Sequence, residues 1–456
     1  MQHPKVVVLG SGSLFFGRQA IWQMVTSAQL NQGTLALVDT DPGRAEKMGA
    51  LARKVVDHAG VKLAIEESTD RKDVLAGADY VIISFANDTV KYRELDCRFS
   101  AKYGIRMCSG DTIGPGGIFR TLRELPQVLA TAGDVEAICP DAWLINYANP
   151  TAALGLALKK HAPTLKSFAL CDGHRMPGVR KRYAVMAGIV SQQEDYTEQI
   201  DRKFDLRIAG PNHFTWMIKA EYEGRDVMPS IAEGVRAKAA KEADDPTVGP
   251  KEKFRSAACY ELYGIYGAIP TTTAHTKEYV RFWQGLGKNP ESIPPLTLWD
   301  ADARRKRHAD MWQQVDEFNS GKRPISEFMD TFESDHATDI IETMVSGHKR
   351  QFYINTLNNG AVDNIGDDRF MELLCSVDGD GPRPVGIGSA PAGVRGLIEQ
   401  VLDSHELAVE AAATCDRKIL RRAMLTDPLV SSIADADALV EELLEAEREA
   451  LPREWF

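Results

Sequence analysis

Residues 6–17 read VVVLGSGSLFFG, four apolar residues followed by glycines at 10, 12 and 17. An unbroken apolar run that ends in glycine suits a strand buried on both faces, as in a parallel sheet. Apolar spacing from Arg18 to Leu30 predicts a helix, and TLALVD (34–39) predicts a second strand ending at Asp39. Together these form a βαβ unit. Gly10 permits a tight turn, and Gly12 lets a pyrophosphate approach the backbone, so Gly10, Gly12, Ser13, Leu14 and Phe15 make up the candidate cofactor loop. Asp39, 27 residues beyond Gly12, suits the ribose hydroxyls of NAD and disfavours the extra phosphate of NADP. The third glycine is late, at 17 where GxGxxG would put it at 15. A glycine turn in an unrelated α/β protein competes with this reading, but the strand before, the helix after and the terminal acid favour the nucleotide.

DYVIISFAN (79–87) and AWLINYANP (142–150) read as further buried parallel strands. Ligands in such sheets sit beyond the carboxyl ends of strands, which points Asn87, Asn146 and Asn149 at the cleft. After Pro150 the alternation fades. Residues 191–210 are polar, RIAGPNHFTWM is apolar, and 224–256 is charged and mostly helical. Segment 301–322 predicts a charged helix whose run Arg304-Arg305-Lys306-Arg307 reads as a solvated face. Long helices dominate from Pro391 onward.

A chain of 456 residues suggests two or three domains. Its 54 basic and 65 acidic residues give a net charge of −11, which argues against a nucleic-acid partner. No apolar run is long enough for a membrane helix, and the amino terminus enters a strand pattern without a secretory segment. Seven scattered cysteines do not suggest a disulfide framework, so a cytoplasmic protein is expected.

The segments GDTIGPGGIFRTLRELPQV (110–128), INYANPTAA (145–153), CDGH (171–174), GPNHFTWM (210–217), YGAIPTTTAHTKEYVRFW (266–283) and NTLNNGAVDNI (355–365) resemble, in order and spacing, the NAD- and metal-dependent glycosidases of glycoside hydrolase family 4. ELAVEAAATCDRKILRRAMLTDPLV (406–430) is similar to that family's carboxyl end. The resemblance implies an α/β fold. An amino-terminal Rossmann domain, a doubly wound parallel sheet, would span residues 1–170. A carboxyl-terminal α+β domain like that of lactate and malate dehydrogenases would span 171–456, binding substrate and metal and mediating assembly into a homodimer or homotetramer.

It also implies redox chemistry, outside the two-carboxylate scheme of most glycosidases. NAD removes hydride from C3 of the sugar, a base takes the C2 proton, the C1 substituent leaves by elimination, and water adds before the ketone is reduced. By the same resemblance Cys171 and His213 hold a divalent metal, usually manganese, although a thiolate and an imidazole by themselves would favour zinc or iron. Asp172 matches the acid that protonates the leaving oxygen, a role that burial against an apolar wall would support. Asn149 matches a substrate-binding residue, and Asp111 and Thr112 a loop reaching the active site. The run GPGG (114–117), with a helix expected from Ile118, would set backbone N–H groups beside a ligand. His174 has three open readings: sugar binding, acid–base work or packing.

One stretch departs from the family. Many members acting on unphosphorylated sugars carry an acidic residue followed by Arg-His where this chain has Thr273-Ala274-His275. Threonine is no base at neutral pH, so Tyr263 and Tyr266 become the candidates for it. The arginine that phosphosugar enzymes present here is missing too, which disfavours a phosphorylated substrate. Lys91, Arg93, His275, Lys277 and Arg281 leave room for another anion, such as a uronic acid or sulfonate, unless they simply face solvent. Arg93, Asp111, Asn149, His174 and His275 are therefore the candidate substrate residues. A sugar or hydroxy-acid dehydrogenase with net NADH production, or a sugar-binding regulator, are the competing functions. The dehydrogenase would not require the set Cys171, Asp172 and His213.

Overall fold

A computed structural model describes residues 3–284 and 299–456, apart from the side chains of 250–252 and 273–274. The side chain of Thr273 thus lies outside the described residues. Strand β1 (Lys5–Leu9) pairs in parallel with β2 (Thr34–Val38), from Lys5 opposite Thr34 to Leu9 opposite Val38. On one side follows β3 (Ala64–Ser68), and on the other β4 (Tyr80–Ile83), β5 (Trp143–Asn146) and β6 (Lys166–Ala169), all parallel. The order 3-2-1-4-5-6 is that of a doubly wound nucleotide-binding sheet, and its switch point lies between β1 and β4.

The sheet continues past β6 with a change of strand direction. β11 (Arg350–Leu357) joins β6 antiparallel, followed by β12 (Phe370–Asp378), β7 (Phe204–Gly210), β8 (Trp216–Tyr222) and β10 (Ile269–Pro270). β13 (Gly381–Pro384) lies on β12 and β9 (Arg225–Asp226) on β8. A parallel half therefore runs into an antiparallel half, and the loops at their seam are available to build one site.

Element ends differ from expectation where the chain turns into that site. The first helix is Gly17–Thr26, ending before Leu30 because a chain of turns from Ser27 to Gly33 returns it to the sheet. β4 stops at Ile83 and β5 at Asn146, so Asn87 and Asn149 stand on loops. The GPGG run lies inside a long helix, Gly114–Ile138, that starts four residues before Ile118; Pro115 is compatible with its first turn. Carboxyl-terminal elements brace this region: His405 bonds the Thr112 carbonyl at 3.0 Å, and Asp427 accepts from the Gly114 N–H at 2.8 Å. Among the described residues no helix is long and apolar enough to cross a membrane.

Candidate active site

The loop after β1 is shaped by close approaches. Gly10 adopts φ +84°, and a Cβ on Gly12 would stand 2.6 Å from Asp39 Oδ2, which accepts the Gly12 N–H at 2.9 Å. Asp39 is thus in register with the glycine loop. The late third glycine also has its reason: a Cβ on Gly17 would meet the Ser11 carbonyl oxygen at 2.1 Å. Ser13 accepts the Gly17 N–H at 2.8 Å, and the carbonyl of buried Leu14 accepts from Arg18 Nε at 2.8 Å. The helix at Gly17 has no side-chain cap and no acid in its first turn, so its amino end suits a pyrophosphate. Phe16 packs on Tyr147 at 4.2 Å between ring centres. The guanidinium groups of Arg304 and Arg307 stand over Phe15 at 5.4 and 4.7 Å. The basic run is therefore only partly a solvated face: Arg305 and Lys306 do pair with surface acids, while Arg304 and Arg307 turn to the loop. The Asn87 backbone N–H donates to the buried Glu124 carboxylate at 3.1 Å, and its side chain is exposed.

Across the switch point, the loop after β6 brings Cys171 to the loop between β7 and β8. Cys171 Sγ lies 3.1 Å from His213 Nε2, and His213 Nδ1 lies 3.2 Å from Thr112 Oγ1. His275 stacks on His213 at 4.2 Å, and ligand atoms of Asp111, His213 and His275 fall within 4.8 Å of one another. Burial, helped by the His275 charge, pushes His213 down to about 3, so it is a neutral imidazole ready to ligate. Burial and then the Glu372 charge push the Cys171 thiol far up. A thiolate here calls for a cation, which is the fit a divalent ion provides.

Behind this pair sits a carboxylate that the sequence reading missed. Glu372 is wholly buried and accepts from Asn212 Nδ2 at 3.2 Å, while its other oxygen faces His174 Nδ1 at 2.9 Å. Burial alone would raise the Glu372 carboxyl, but the His174 charge holds it below the usual range. His174 is itself 0% exposed, in contact with Glu372 and Tyr353. Its Nε2 has no hydrogen-bond partner among the described residues. A lone acid within the apolar strand FMELLCSV was the available signal.

Asp111 is the second organising centre. Its Oδ2 lies 3.2 Å from Arg93, 3.4 Å from Asn149 Nδ2 and 3.7 Å from Arg120, and its Oδ1 accepts from Ser109 at 2.7 Å. Burial would push its carboxyl up, but Arg93, His213 and Arg120 hold it well below the ordinary range. Glu278, also missed, accepts the N–H groups of Ser109 and Gly110 at 3.0 and 2.8 Å and so fixes the loop that carries Asp111.

Asp172 makes no hydrogen bond to the Cys171–His213 pair among the described residues. The Tyr147 hydroxyl donates to its Oδ1, and Arg175 donates to its Oδ2 at 2.6 Å. The expected apolar wall is replaced by a phenol and a guanidinium, because Arg175 lies one turn on and also binds Gln19 of the first helix at 2.9 Å. Tyr263 and Tyr266 lie on the helix Pro250–Tyr266. Tyr266 packs against Trp216 and Phe282, and among the described residues no hydrogen bond joins either hydroxyl to the cluster.

Two family models together span most of the chain: family 4 glycosyl hydrolase matches residues 5–189, and the family 4 glycosyl hydrolase C-terminal domain matches 208–430. The chain belongs to glycoside hydrolase family 4. Relatives of this family 4 hydrolase include an α-galactosidase of Bacillus subtilis, 28% identical over 98% of this chain and 99% of its own. An α-galacturonidase of Lachnoclostridium phytofermentans is 28% identical over 99% and 97%. A 6-phospho-β-glucosidase of Thermotoga maritima, solved with manganese, NAD⁺ and glucose 6-phosphate, superposes with a TM-score of 0.77 at 20% identity over 98% and 99% of the two chains. That last likeness concerns the fold, and it extends to the antiparallel half of the family 4 architecture.

Proposed function

We propose that this family 4 hydrolase cleaves a non-phosphorylated α-glycoside, using NAD in the loop after β1 and a divalent ion, manganese by preference, at Cys171 and His213. One observation carries the reading: Cys171 and His213 meet at 3.1 Å across the switch point from a glycine loop in register with Asp39. NAD would supply reversible hydride removal, and the ion would supply Lewis acidity at sugar oxygens. The chain's own groups would do the rest. Thr112 orients His213, and Glu372 with Asn212 backs the same loop. Tyr147 and Arg175 fix the two oxygens of Asp172, the proposed proton donor to the leaving oxygen. Tyr263 or Tyr266 is the proposed C2 base. Asn149, Arg93, Asp111 and His275 would line the sugar pocket, with His174 supporting it from behind. In a division at 170/171, Arg93, Asp111 and Asn149 would reach the sugar from the cofactor-binding half. The missing arginine near Thr273 and the α-galactosidase relative support an unphosphorylated substrate.

A screen of aryl α- and β-glycosides, as neutral sugars, uronides and 6-phosphates, tests this directly. The expected result is product release that requires both NAD⁺ and a divalent ion, without growth of absorbance at 340 nm. Stoichiometric NADH would instead make the protein a dehydrogenase.

A further inference from the structure

Arg120 is an unusual group for the interior of a helix. It lies on Gly114–Ile138, is only 7% exposed, and its Nε has no hydrogen-bond partner. Its nearest carboxylate oxygens, on Asp111 and Glu124, stand at 3.7 and 3.8 Å, beyond direct hydrogen-bond range. Both acids are engaged elsewhere: Asp111 with Arg93, Ser109 and Asn149, Glu124 with the Asn87 N–H. A buried guanidinium left this way is costly unless something completes it.

A second incompletely paired arginine lies close by. Arg304 is half-buried, makes no side-chain hydrogen bond or ion pair among the described residues, and feels the charges of Arg93, Asp111 and Arg120. Arg93 closes the group, its guanidinium 4.9 Å from the Trp299 ring centre. Three arginines thus surround two carboxylates. The excess is one positive charge, set beside the residues proposed to hold the sugar.

We propose that Arg120, with Arg93 and Arg304, forms a subsite for a carboxylate carried by the sugar, making the substrate a hexuronic acid glycoside. The proposal rests on the glycosidase reading above and names the substrate class for it. A planar guanidinium matches a carboxylate in a two-pronged pair. A carboxylate monoanion neutralises the single excess charge, whereas a phosphate monoester would bring nearly two charges toward Asp111 and Glu124. The cofactor is the competing occupant, because Arg304 also stands over Phe15 of the glycine loop.

Calorimetric titration of the enzyme loaded with NAD⁺ and Mn²⁺ separates these. Free galacturonate and glucuronate, their neutral parents, and the 6-phosphates serve as probes, with NAD⁺ titrated separately. At least one uronate should bind the wild type about 10–100-fold more tightly than its neutral parent, the range for a charged hydrogen-bonded pair. Arg120→Gln should abolish that preference while neutral-sugar and NAD⁺ affinities stay within about threefold. Arg304→Gln, at a half-buried position, should reduce the preference in the same sense and serves if Arg120→Gln does not fold. The proposal is overturned if neither uronate is preferred, if a 6-phosphate binds at least as tightly as the uronates, or if the variants weaken NAD⁺ and leave the uronate preference intact. Uronate preference without hydrolysis of any glycoside would sink the glycosidase reading alone. Hydrolysis of neutral glycosides without uronate preference would sink the subsite alone.

Discussion

Cys171 and Asp172 are neighbours in sequence and opposites in surroundings. Cys171, itself half-buried, lies 3.1 Å from His213 and is backed by the buried Glu372, Asn212 and His174. Asp172, its side chain 36% exposed, is held by Tyr147, which packs on Phe16, and by Arg175, which binds Gln19 of the first helix. The extended backbone at Cys171 sends consecutive side chains to opposite sides, so two residues can serve different halves of one reaction. The His213 side favours a fixed ligand geometry, and the Asp172 side favours a group that must meet an incoming leaving oxygen.

The division makes the two residues fail differently. The largest effect is expected at the Asp172 side. Asp172→Asn cannot donate a carboxylic proton, so kcat on an alkyl glycoside should fall by about 10²–10⁴. A nitrophenyl glycoside, whose leaving group needs little help, should lose far less, and Mn²⁺ affinity measured by calorimetry should be unchanged. Equal losses on both substrates would break the comparison. On the His213 side, Cys171→Ser replaces a ligand thiolate by a neutral hydroxyl. Metal affinity should drop by more than the roughly 10–100-fold that supporting residues cost. Unchanged Mn²⁺ binding would return Cys171 to the core.

The cofactor loop sharpens the contrast by acting before either residue. Asp39→Ala should weaken NAD⁺ by about 1–3 kcal/mol, since the donors that Asp39 serves lose a charged acceptor. Fluorescence titration reads it, and equal NAD⁺ affinity in the variant would contradict the register seen at Gly12.

A last effect is a stability term at the carboxyl-terminal brace, read in stability and not in turnover. Asp427, 2% exposed, accepts the Gly114 N–H next to the loop that holds Thr112, and burial pushes its carboxyl up to about 6. The unfolded chain releases this proton near pH 4 and the folded chain near 6, so stability falls as pH rises through that window, by up to about 3 kcal/mol. Asp427→Asn should flatten the fall in Tm between pH 4 and 6. An unaltered profile would remove Asp427 from the account.

The glycine loop, the order of the first two strands and Asp39 were legible because a βαβ unit is local and each residue acts within about forty positions. The family motifs carried Cys171, Asp111, Asn149 and His213 to one place for the same reason that makes them motifs. What escaped were partners brought by tertiary pairing. Tyr147 lies inside INYANPTAA and Arg175 directly follows CDGH, but both gain meaning only from their bonds to Asp172. Glu372 reaches Asn212 and His174 because β12 lies beside β7, a pairing no local pattern reveals. Arg304 read as solvated because its neighbours Arg305 and Lys306 are; the helical period puts Arg304 and Arg307, one turn apart, on the face toward Phe15 and turns the two residues between them away.

The central claim is that Cys171 and Asp172 act at separate steps, and solvent exchange tests it most directly. Each variant is incubated in deuterated buffer with NAD⁺, Mn²⁺ and the preferred glycoside, and deuterium at sugar C2 is followed by NMR. Tyr263→Phe and Tyr266→Phe run alongside, and the variant lacking the base should lose exchange and hydrolysis together. The account predicts that Asp172→Asn still exchanges the C2 proton while hydrolysing poorly, and that Cys171→Ser loses both. Loss of exchange in Asp172→Asn as complete as in Cys171→Ser would contradict it.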